Sequence, residues 1–238
     1  MAAKTDHELT RLVFDLLHRQ EVDIVGVAPV DRFNDVPQDR HPQTILPSCS
    51  NVLVFGMRQI DSVIDNLPAC SCSFTQQYHL VLKQLDVVAL AVSKMLTTKG
   101  YNGISVPSAD LYDGKKQPKP GHVYHQQAAV LAGLGEIGLN KLLLTPRFGP
   151  RIQLVSVVND APLAGSQIAE LGLCAKWQAT CKKACIHLCP AGCISQDGVD
   201  ENMCIYYQSS VMSSGFHLYV PSILCGMCIK ACPRQPSA

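Results

Sequence analysis

Apolar positions in the first 160 residues recur in two patterns, one typical of helices and one typical of buried strands. Helical spacing predicts three helices, over residues 8–20, over 76–99 and from near His122 to about Leu134. Asp6 or Thr5 can cap the first helix, because both side chains accept hydrogen bonds from free N–H groups. The helix over 76–99 has a broad apolar face and should be largely buried. Continuous apolar, β-branched runs predict strands over residues 22–30, 51–57, 102–106 and 152–158.

Helices and strands intermingle before a cysteine-rich tail, which predicts an α/β (α+β) fold. We expect an α/β domain over residues 1–160, and a smaller module over 161–238. Residues 107–121 show no periodicity and are rich in proline, glycine and lysine. Connections of this length are often functional lids or mobile segments.

Nine of the twelve cysteines fall within the last sixty-five residues. Two runs there end in C-x3-C-P, one at Cys189 and one at Cys232. This ending is typical of a ferredoxin-like module with two [4Fe–4S] clusters, in which the cysteine before each proline ligates the other cluster. Disulfides would need an oxidising compartment. Structural zinc sites usually combine two C-x2-C segments, and this chain has only one such segment.

Crossed ligation assigns the cysteines to two clusters. The first cluster should take Cys174, Cys181, Cys185 and Cys232. The second should take Cys189, Cys204, Cys225 and Cys228. Cys193 is then spare, but it competes with Cys174 for the eighth position, because six residues separate Cys174 from Cys181 where a ferredoxin would have two.

Composition and charge limit the classes of partner. Hydrophobic residues make up 47% of the chain and charged residues 16%, so a sizeable core can form. The formal net charge of +1 gives no electrostatic reason to expect a nucleic-acid or anionic membrane partner. We find no export signal and no apolar run of membrane-spanning length, so we expect a cytoplasmic protein.

Residues 133–138 read Gly-Leu-Gly-Glu-Ile-Gly and match the G-x-G-x-x-G pattern. A dinucleotide site needs a strand before this pattern and a helix after it. Here the preceding residues favour a helix, and Pro146 limits any helix afterwards. The glycines are better explained as a tight turn that lets the backbone approach a ligand closely.

Two neighbouring segments carry a resemblance to a known family. Residues 128–140 read Ala-Ala-Val-Leu-Ala-Gly-Leu-Gly-Glu-Ile-Gly-Leu-Asn, and residues 144–151 read Leu-Thr-Pro-Arg-Phe-Gly-Pro-Arg. They resemble the A-G-L-G-E-[IL]-G and T-P-x-F-G-P-R segments of corrinoid-dependent reductive dehalogenases, and the first is also similar to a segment of epoxyqueuosine reductase. The order of the cysteine runs matches the same superfamily. The resemblance covers residues 122–233 well and the first 120 residues loosely.

The resemblance implies a nitroreductase-like α/β domain that holds a base-off cobamide, with flavin as the second choice. The residues it implies for the cofactor wall are Gly133, Leu134, Gly135, Gly138, Asn140, Thr145, Phe148, Gly149 and Arg151. Electrons from a low-potential donor of the ferredoxin or flavodoxin type would pass singly through the clusters to the cobamide. A small molecule or a partner protein would be the final acceptor, and nitroreductase-like folds often form homodimers.

Candidate proton donors lie near the predicted cofactor wall. Tyr124 and His125 could donate a proton to a reduced substrate, although a structural role for each is the simpler explanation. Asp110 and Asp113 are alternative acids. The tail ends at Ala238, so we expect no tRNA-binding extension. An alternative function is an electron-transfer or corrinoid-reactivating protein without a substrate of its own.

Overall fold

The computed structural model describes residues 5–109, 123–168, 170–212 and 223–233. It is a mixed α/β structure, as predicted. The α-helices are α1 (His7–Arg19), α2 (Pro42–Ile45), α3 (Asp61–Asp65), α4 (Ser71–Thr98), α5 (His125–Leu131), α6 (Leu173–Cys181), α7 (Ala184–His187), α8 (Glu201–Tyr206) and α9 (Met227–Ala231). The strands are β1 (Ile24–Pro29), β2 (Asn51–Arg58), β3 (Gly103–Val106), β4 (Glu136–Ile137), β5 (Leu143–Leu144) and β6 (Ile152–Asn159). Among these described elements, no helix has both the length and the apolar character to cross a bilayer.

The main sheet has four strands in the order β1-β2-β6-β3. β1 pairs with β2 in antiparallel register, with Ile24 opposite Gly56. β3 pairs with β6 in the same sense, with Gly103 opposite Asn159. Every residue of β2 except Arg58 is buried, which explains why its sequence is continuously apolar rather than alternating.

The first helix begins at the cap that the sequence predicted. The Asp6 carboxylate accepts a hydrogen bond from the Leu9 N–H at 2.8 Å, and the Thr10 hydroxyl donates to the Asp6 carbonyl oxygen at 2.7 Å. Two of the helix's apolar residues, Val13 and Leu17, are fully buried. The cap therefore fixes the start of α1, and the apolar stripe fixes the face that it buries.

The chain divides into two compact units whose segments alternate along the sequence. The first comprises Met1–Met57, Val81–Leu134 and Gln153–Glu170, and the second comprises Arg58–Leu80, Gly135–Ile152 and Leu171–Ala238. The division at residue 160 that the sequence suggested treats the chain as linear, and it stays a prediction about domains.

Each unit has its own core. In the first, α1 and α4 pack on the sheet through residues such as Leu17, Phe55 and Val92. In the second, Ile64, Leu67, Phe74 and Ile229 form a smaller cluster. This smaller core joins α3 and the start of α4 to α9, the helix that carries the last cysteine run.

Two expectations need adjustment. The long helix is less buried than its apolar composition suggested, because Leu80 is 54% exposed and Leu90 is 49% exposed. The third predicted helix begins at His125. Residues 110–122, with most of the predicted lid, the start proposed for that helix and the candidate acids Asp110 and Asp113, lie outside the described residues.

Candidate metal centre

Residues 135–138 of the glycine motif belong to a β-hairpin in the second unit. β4 and β5 pair antiparallel, with Glu136 opposite Leu144. A Cβ atom on Gly135 would overlap the carbonyl oxygen of Leu144, and one on Gly138 would lie 2.7 Å from the Leu144 Cδ1 atom. Both positions thus require glycine because the backbone and side chain of Leu144 lie too close for a Cβ atom.

The first group of thiols lines one cavity in the second unit. Its members are Cys174, Cys181, Cys185 and Cys232, and Leu139, Asn140 and Leu144 of the hairpin line the same cavity. Burial, and then the negative charges of Cys185, Cys174 and Cys181, raise the pKa of Cys232 to about 12. The pKa of Cys185 is raised by burial and by its neighbours Cys174 and Cys181. Cys174 and Cys181 therefore lie close enough for their charges to act on both Cys185 and Cys232.

A second group forms around the other C-x3-C-P ending. Its members are Cys189, Cys204, Cys225 and Cys228. Burial, and then the charges of Cys225, Cys204 and Cys189, raise the pKa of Cys228 to about 12. Burial likewise raises the pKa of Cys225, followed by the charges of Cys204 and Cys189.

Cys193 lies with the second group. Its Sγ atom is 3.3 Å from the Cys189 Sγ atom, and the residue is 5% exposed. Burial and this hydrogen bond raise the pKa of Cys193 to about 12. Burial alone would raise the pKa of Cys189, but the hydrogen bond with the Cys193 thiol and hydrogen bonds from the backbone of Cys193, Ala191 and Ile194 together outweigh it and lower that pKa. Cys193 and Cys189 thus share a hydrogen bond in which either sulfur can be the donor. Cys174 is the cysteine found with the first group.

The chemistry of both groups suits a cationic iron–sulfur cluster. The thiols of both groups are half-buried. Clustered thiolates repel each other, and they become favourable ligands once a cation compensates their charge. A [4Fe–4S] cube takes four cysteine thiolates, one for each iron, so its ligands need not meet at a single point. Within the ranges that the structure describes, no three His, Cys, Asp or Glu side chains converge as ligands of one metal ion.

Two hairpin residues contact the backbone of candidate ligands. The Glu136 Oε1 atom accepts a hydrogen bond from the Cys174 N–H at 2.7 Å. The Asn140 Nδ2 atom donates to the Cys228 carbonyl oxygen at 3.4 Å. Sequence reasoning placed Asn140 at a cofactor wall and missed Glu136. The one available signal was a carboxylate inside a turn that is otherwise glycine and apolar.

Four other residues of the predicted cofactor wall make contacts within the second unit: Thr145, Phe148, Gly149 and Arg151. The Thr145 hydroxyl donates to the Gly149 carbonyl oxygen and accepts from the Phe148 N–H, each at 3.1 Å. The Arg147 guanidinium lies 5.0 Å from the centre of the buried Phe148 ring. Arg151, whose side chain is 5% exposed, forms ion pairs with Asp61 at 2.9 Å and Asp65 at 2.7 Å.

The residues before the hairpin belong to the first unit. Gly133, with a φ of 75°, closes the end of α5, and the Leu134 N–H donates to the Ala129 carbonyl oxygen. A Cβ atom on Gly133 would overlap the carbonyl oxygen of Gln167.

The candidate proton donors also lie in the first unit. His125 is buried, and its Nε2 atom lies 2.8 Å from the Pro107 carbonyl oxygen. Its Nδ1 atom lies 2.8 Å from the Ser156 hydroxyl oxygen. Because a carbonyl oxygen can only accept, Nε2 carries the proton and Nδ1 accepts from Ser156. The Arg40 guanidinium stacks 4.2 Å from the centre of the Tyr124 ring. Proton donation by either residue stays a prediction.

Sequence comparison finds two kinds of enzyme, while no protein-family model matches the chain. Epoxyqueuosine reductase from Bacillus cereus is 23% identical over 219 residues, covering 84% of this chain and 52% of that protein. Tetrachloroethene reductive dehalogenase from Sulfurospirillum multivorans is 26% identical over 223 residues, covering 84% of this chain and 39% of that protein. The chain thus spans about half the length, or less, of these curated relatives.

Structural comparison finds the same two kinds of fold. A reductive dehalogenase studied for B12-dependent dehalogenation aligns with a TM-score of 0.71 at 19% identity, covering 98% of this chain and 33% of that one. Selenomethionine-labelled epoxyqueuosine reductase aligns with a TM-score of 0.65 at 18% identity, covering 95% of this chain and 65% of that one.

One further neighbour bears on the expected partners. It is epoxyqueuosine reductase with an epoxyqueuosine-modified tRNA-Tyr stem loop, with a TM-score of 0.58 at 16% identity. That alignment covers 85% of this chain and 57% of the other. The expectation that this chain has no nucleic-acid partner is therefore not supported.

Proposed function

Because the chain belongs to the reductive dehalogenase and epoxyqueuosine reductase superfamily, we propose that it is an iron–sulfur oxidoreductase that carries single electrons on two [4Fe–4S] clusters to a reducible acceptor. The observation that carries this proposal is the gathering of eight cysteines into two groups within one unit. A reducing compartment such as the cytoplasm suits these thiolate ligands.

The proposed ligands follow the two groups. The first cluster is held by Cys174, Cys181, Cys185 and Cys232, and the second by Cys189, Cys204, Cys225 and Cys228. When bound, such clusters accept and release one electron at a time. The protein's part is to hold the thiolates and to tune the potential through burial and hydrogen bonds to sulfur.

Metal analysis tests this proposal directly. The protein is reconstituted anaerobically with iron and sulfide and desalted, and both elements are then measured. We expect about eight atoms of each per chain, four for each cube. Values near four would reduce the proposal to one cluster, and values near zero would refute it. A ferredoxin or flavodoxin that reduces the reconstituted protein would identify the donor class.

A cobamide is the second proposed cofactor, and its support is the likeness to a B12-dependent dehalogenase. Of the residues predicted to hold it, Thr145 and Arg151 make contacts inside the second unit. These side chains therefore do not define a cobamide site by themselves. Purification from cobalamin-supplemented anaerobic cells tests the point, because a bound corrinoid and a bound flavin have different absorption spectra. If the cofactor fraction extracted from the protein is colourless, and neither cobalamin nor flavin binds on titration, both cofactors are excluded.

A second candidate function is electron transfer, or corrinoid reactivation, without a small substrate. It is favoured by His125, since both ring nitrogens of this candidate proton donor are already hydrogen-bonded within the fold. Under this function the reduced clusters would reduce a partner protein's cofactor but turn over no small molecule. An epoxyqueuosine-modified tRNA stem loop and a chlorinated alkene are the substrates to assay first, since they separate this candidate from the two relatives' reactions.

A further inference from the structure

We infer that Glu136 is a positioning residue that fixes Cys174 as the fourth ligand of the first cluster. This inference rests on the proposed function, because it concerns how one cluster is held. The direct observation is the 2.7 Å hydrogen bond from the Cys174 N–H to the Glu136 Oε1 atom, which joins residues 38 positions apart in the chain.

Cys174 needs an anchor that Cys181 and Cys185 do not. Cys181 ends α6 and Cys185 lies in α7, so their short spacing brings them together locally. Six residues separate Cys174 from Cys181, and Cys174 is at the second position of α6. Nothing in the C-x3-C spacing therefore determines where its sulfur lies.

The start of α6 lacks a local cap. The residue before it is Gly172, which has a φ of 57° and no side chain to accept a hydrogen bond. The first N–H groups of a helix have no partner within the helix. A carboxylate satisfies such a group, and its charge is favourable at the positive end of the helix. Glu136 supplies this acceptor from a distant segment.

The segment that carries Glu136 is itself firmly placed. Glu136 pairs with Leu144 across the hairpin, and the adjacent Gly135 allows that strand to approach the Leu144 backbone. Leu144 in turn lines the cavity that holds the first thiol group. The hairpin therefore gives the carboxylate a fixed position, and the carboxylate transmits it to Cys174.

The test compares four single variants after anaerobic reconstitution. Glu136→Ala removes the acceptor, and Glu136→Gln keeps an amide oxygen in its place. Cys174→Ala removes the ligand itself. Cys49→Ala is the matched control, since it removes a buried cysteine that belongs to neither group. Iron, sulfide and EPR spectra are measured before and after ferricyanide treatment.

A cube with a poorly held fourth ligand loses one iron on mild oxidation. In that step [4Fe–4S]²⁺ releases Fe²⁺ and one electron, which ferricyanide accepts, and leaves [3Fe–4S]⁺ with its own EPR signal. We expect Cys174→Ala and Glu136→Ala to show this signal and to fall from about eight iron atoms to about seven. The wild type, Glu136→Gln and Cys49→Ala should keep about eight.

Every outcome decides the inference. A Glu136→Ala protein that behaves as the wild type overturns it. A Glu136→Ala protein that loses all its iron, while Cys174→Ala keeps a three-iron cluster, also overturns it, because that pattern means that Glu136 has a general role in folding. Failure of Glu136→Gln to restore the wild-type spectrum also counts against it. If the wild type itself binds no iron, the proposed function fails first, and the inference fails with it.

Discussion

The Cys193 sulfur lies 3.3 Å from the Cys189 sulfur, within hydrogen-bonding distance. A thiolate carries no proton, so Cys193 is the donor when Cys189 is a cluster ligand. Hydrogen bonds to ligand sulfurs disperse their negative charge and favour the reduced cluster. Cys193 thus has a role next to the second cluster that does not require it to be a ligand.

We therefore expect Cys193→Ala to keep both clusters and to lower the midpoint potential of the second one. Cys193→Ser keeps a hydroxyl donor and should lie between Cys193→Ala and the wild type. An EPR-monitored redox titration measures the shift. Loss of iron from Cys193→Ala, as expected for Cys174→Ala, would show instead that Cys193 is a ligand.

Arg151 should be a major source of stability in the second unit. Removing one partner of a buried ion pair typically costs about 3–5 kcal/mol, because the other charge is left uncompensated. The partners here are partly exposed, Asp61 at 26% and Asp65 at 46% of the side chain. Water can therefore solvate them, and we expect Arg151→Leu to cost about 2 kcal/mol.

Urea unfolding of Arg151→Leu and Arg151→Lys measures this effect. Lysine keeps the charge but cannot contact two carboxylates with a planar fork, so Arg151→Lys should recover only part of the loss. Equal stability of Arg151→Leu and the wild type would show that the two ion pairs contribute nothing net.

Asp160 should make the first unit sensitive to acid. Burial alone would raise the pKa of Asp160, but hydrogen bonds from Asn102 and Ser48 outweigh it and lower that pKa below its usual value. The pKa in the unfolded chain is near 3.9. The stabilisation is therefore fully present above about pH 3.9, and it is lost as the pH falls through the lower folded-state pKa.

The free energy of unfolding measured from about pH 6 to about pH 3 tests this, over the range where aspartates titrate. Asp160→Asn should be less stable than the wild type at the upper end, and the difference should shrink towards the lower end. Asp15→Asn, on the exposed face of α1, is the control. A difference that stays constant with pH would contradict the assignment.

Removal of the α1 cap should have a smaller effect on the free energy of unfolding. Asp6→Ala removes the acceptor for the Leu9 N–H and should cost about 1 kcal/mol. Asp6→Asn keeps an acceptor and should cost little. Thr5→Ala is the matched control, because Thr5 is exposed and adjacent. Chemical denaturation should rank the wild type, Thr5→Ala and Asp6→Asn together above Asp6→Ala.

Sequence periodicity was enough to find the main elements of the first unit. α1, β2 and β6 are long, strongly patterned segments, and their observed bounds lie within a residue or two of the predicted ones. The Asp6 cap was predictable because its contact with Leu9 is local. The hairpin of β4 and β5 was not, because two-residue strands carry no periodic signal.

Long-range contacts account for what sequence reasoning missed at the candidate site. The partner of Glu136 is 38 residues away, and no spacing rule connects a turn carboxylate to a helix start in another segment. The exposure of Leu80 and Leu90 has a similar cause, since apolar composition gives the width of a helix face but not the neighbours that cover it. The alternation of the two units along the chain is likewise a property of the folded structure.

The grouping of Cys232 with Cys174 sets an order for biosynthesis. A ribosome makes Cys174, Cys181 and Cys185 well before it reaches Cys232. While the nascent chain is emerging, the first group lacks its last thiol, and Cys228 is equally late for the second. Complete ligation of either proposed cluster must therefore follow translation of this region, and the proposed function requires these thiols to stay reduced until then.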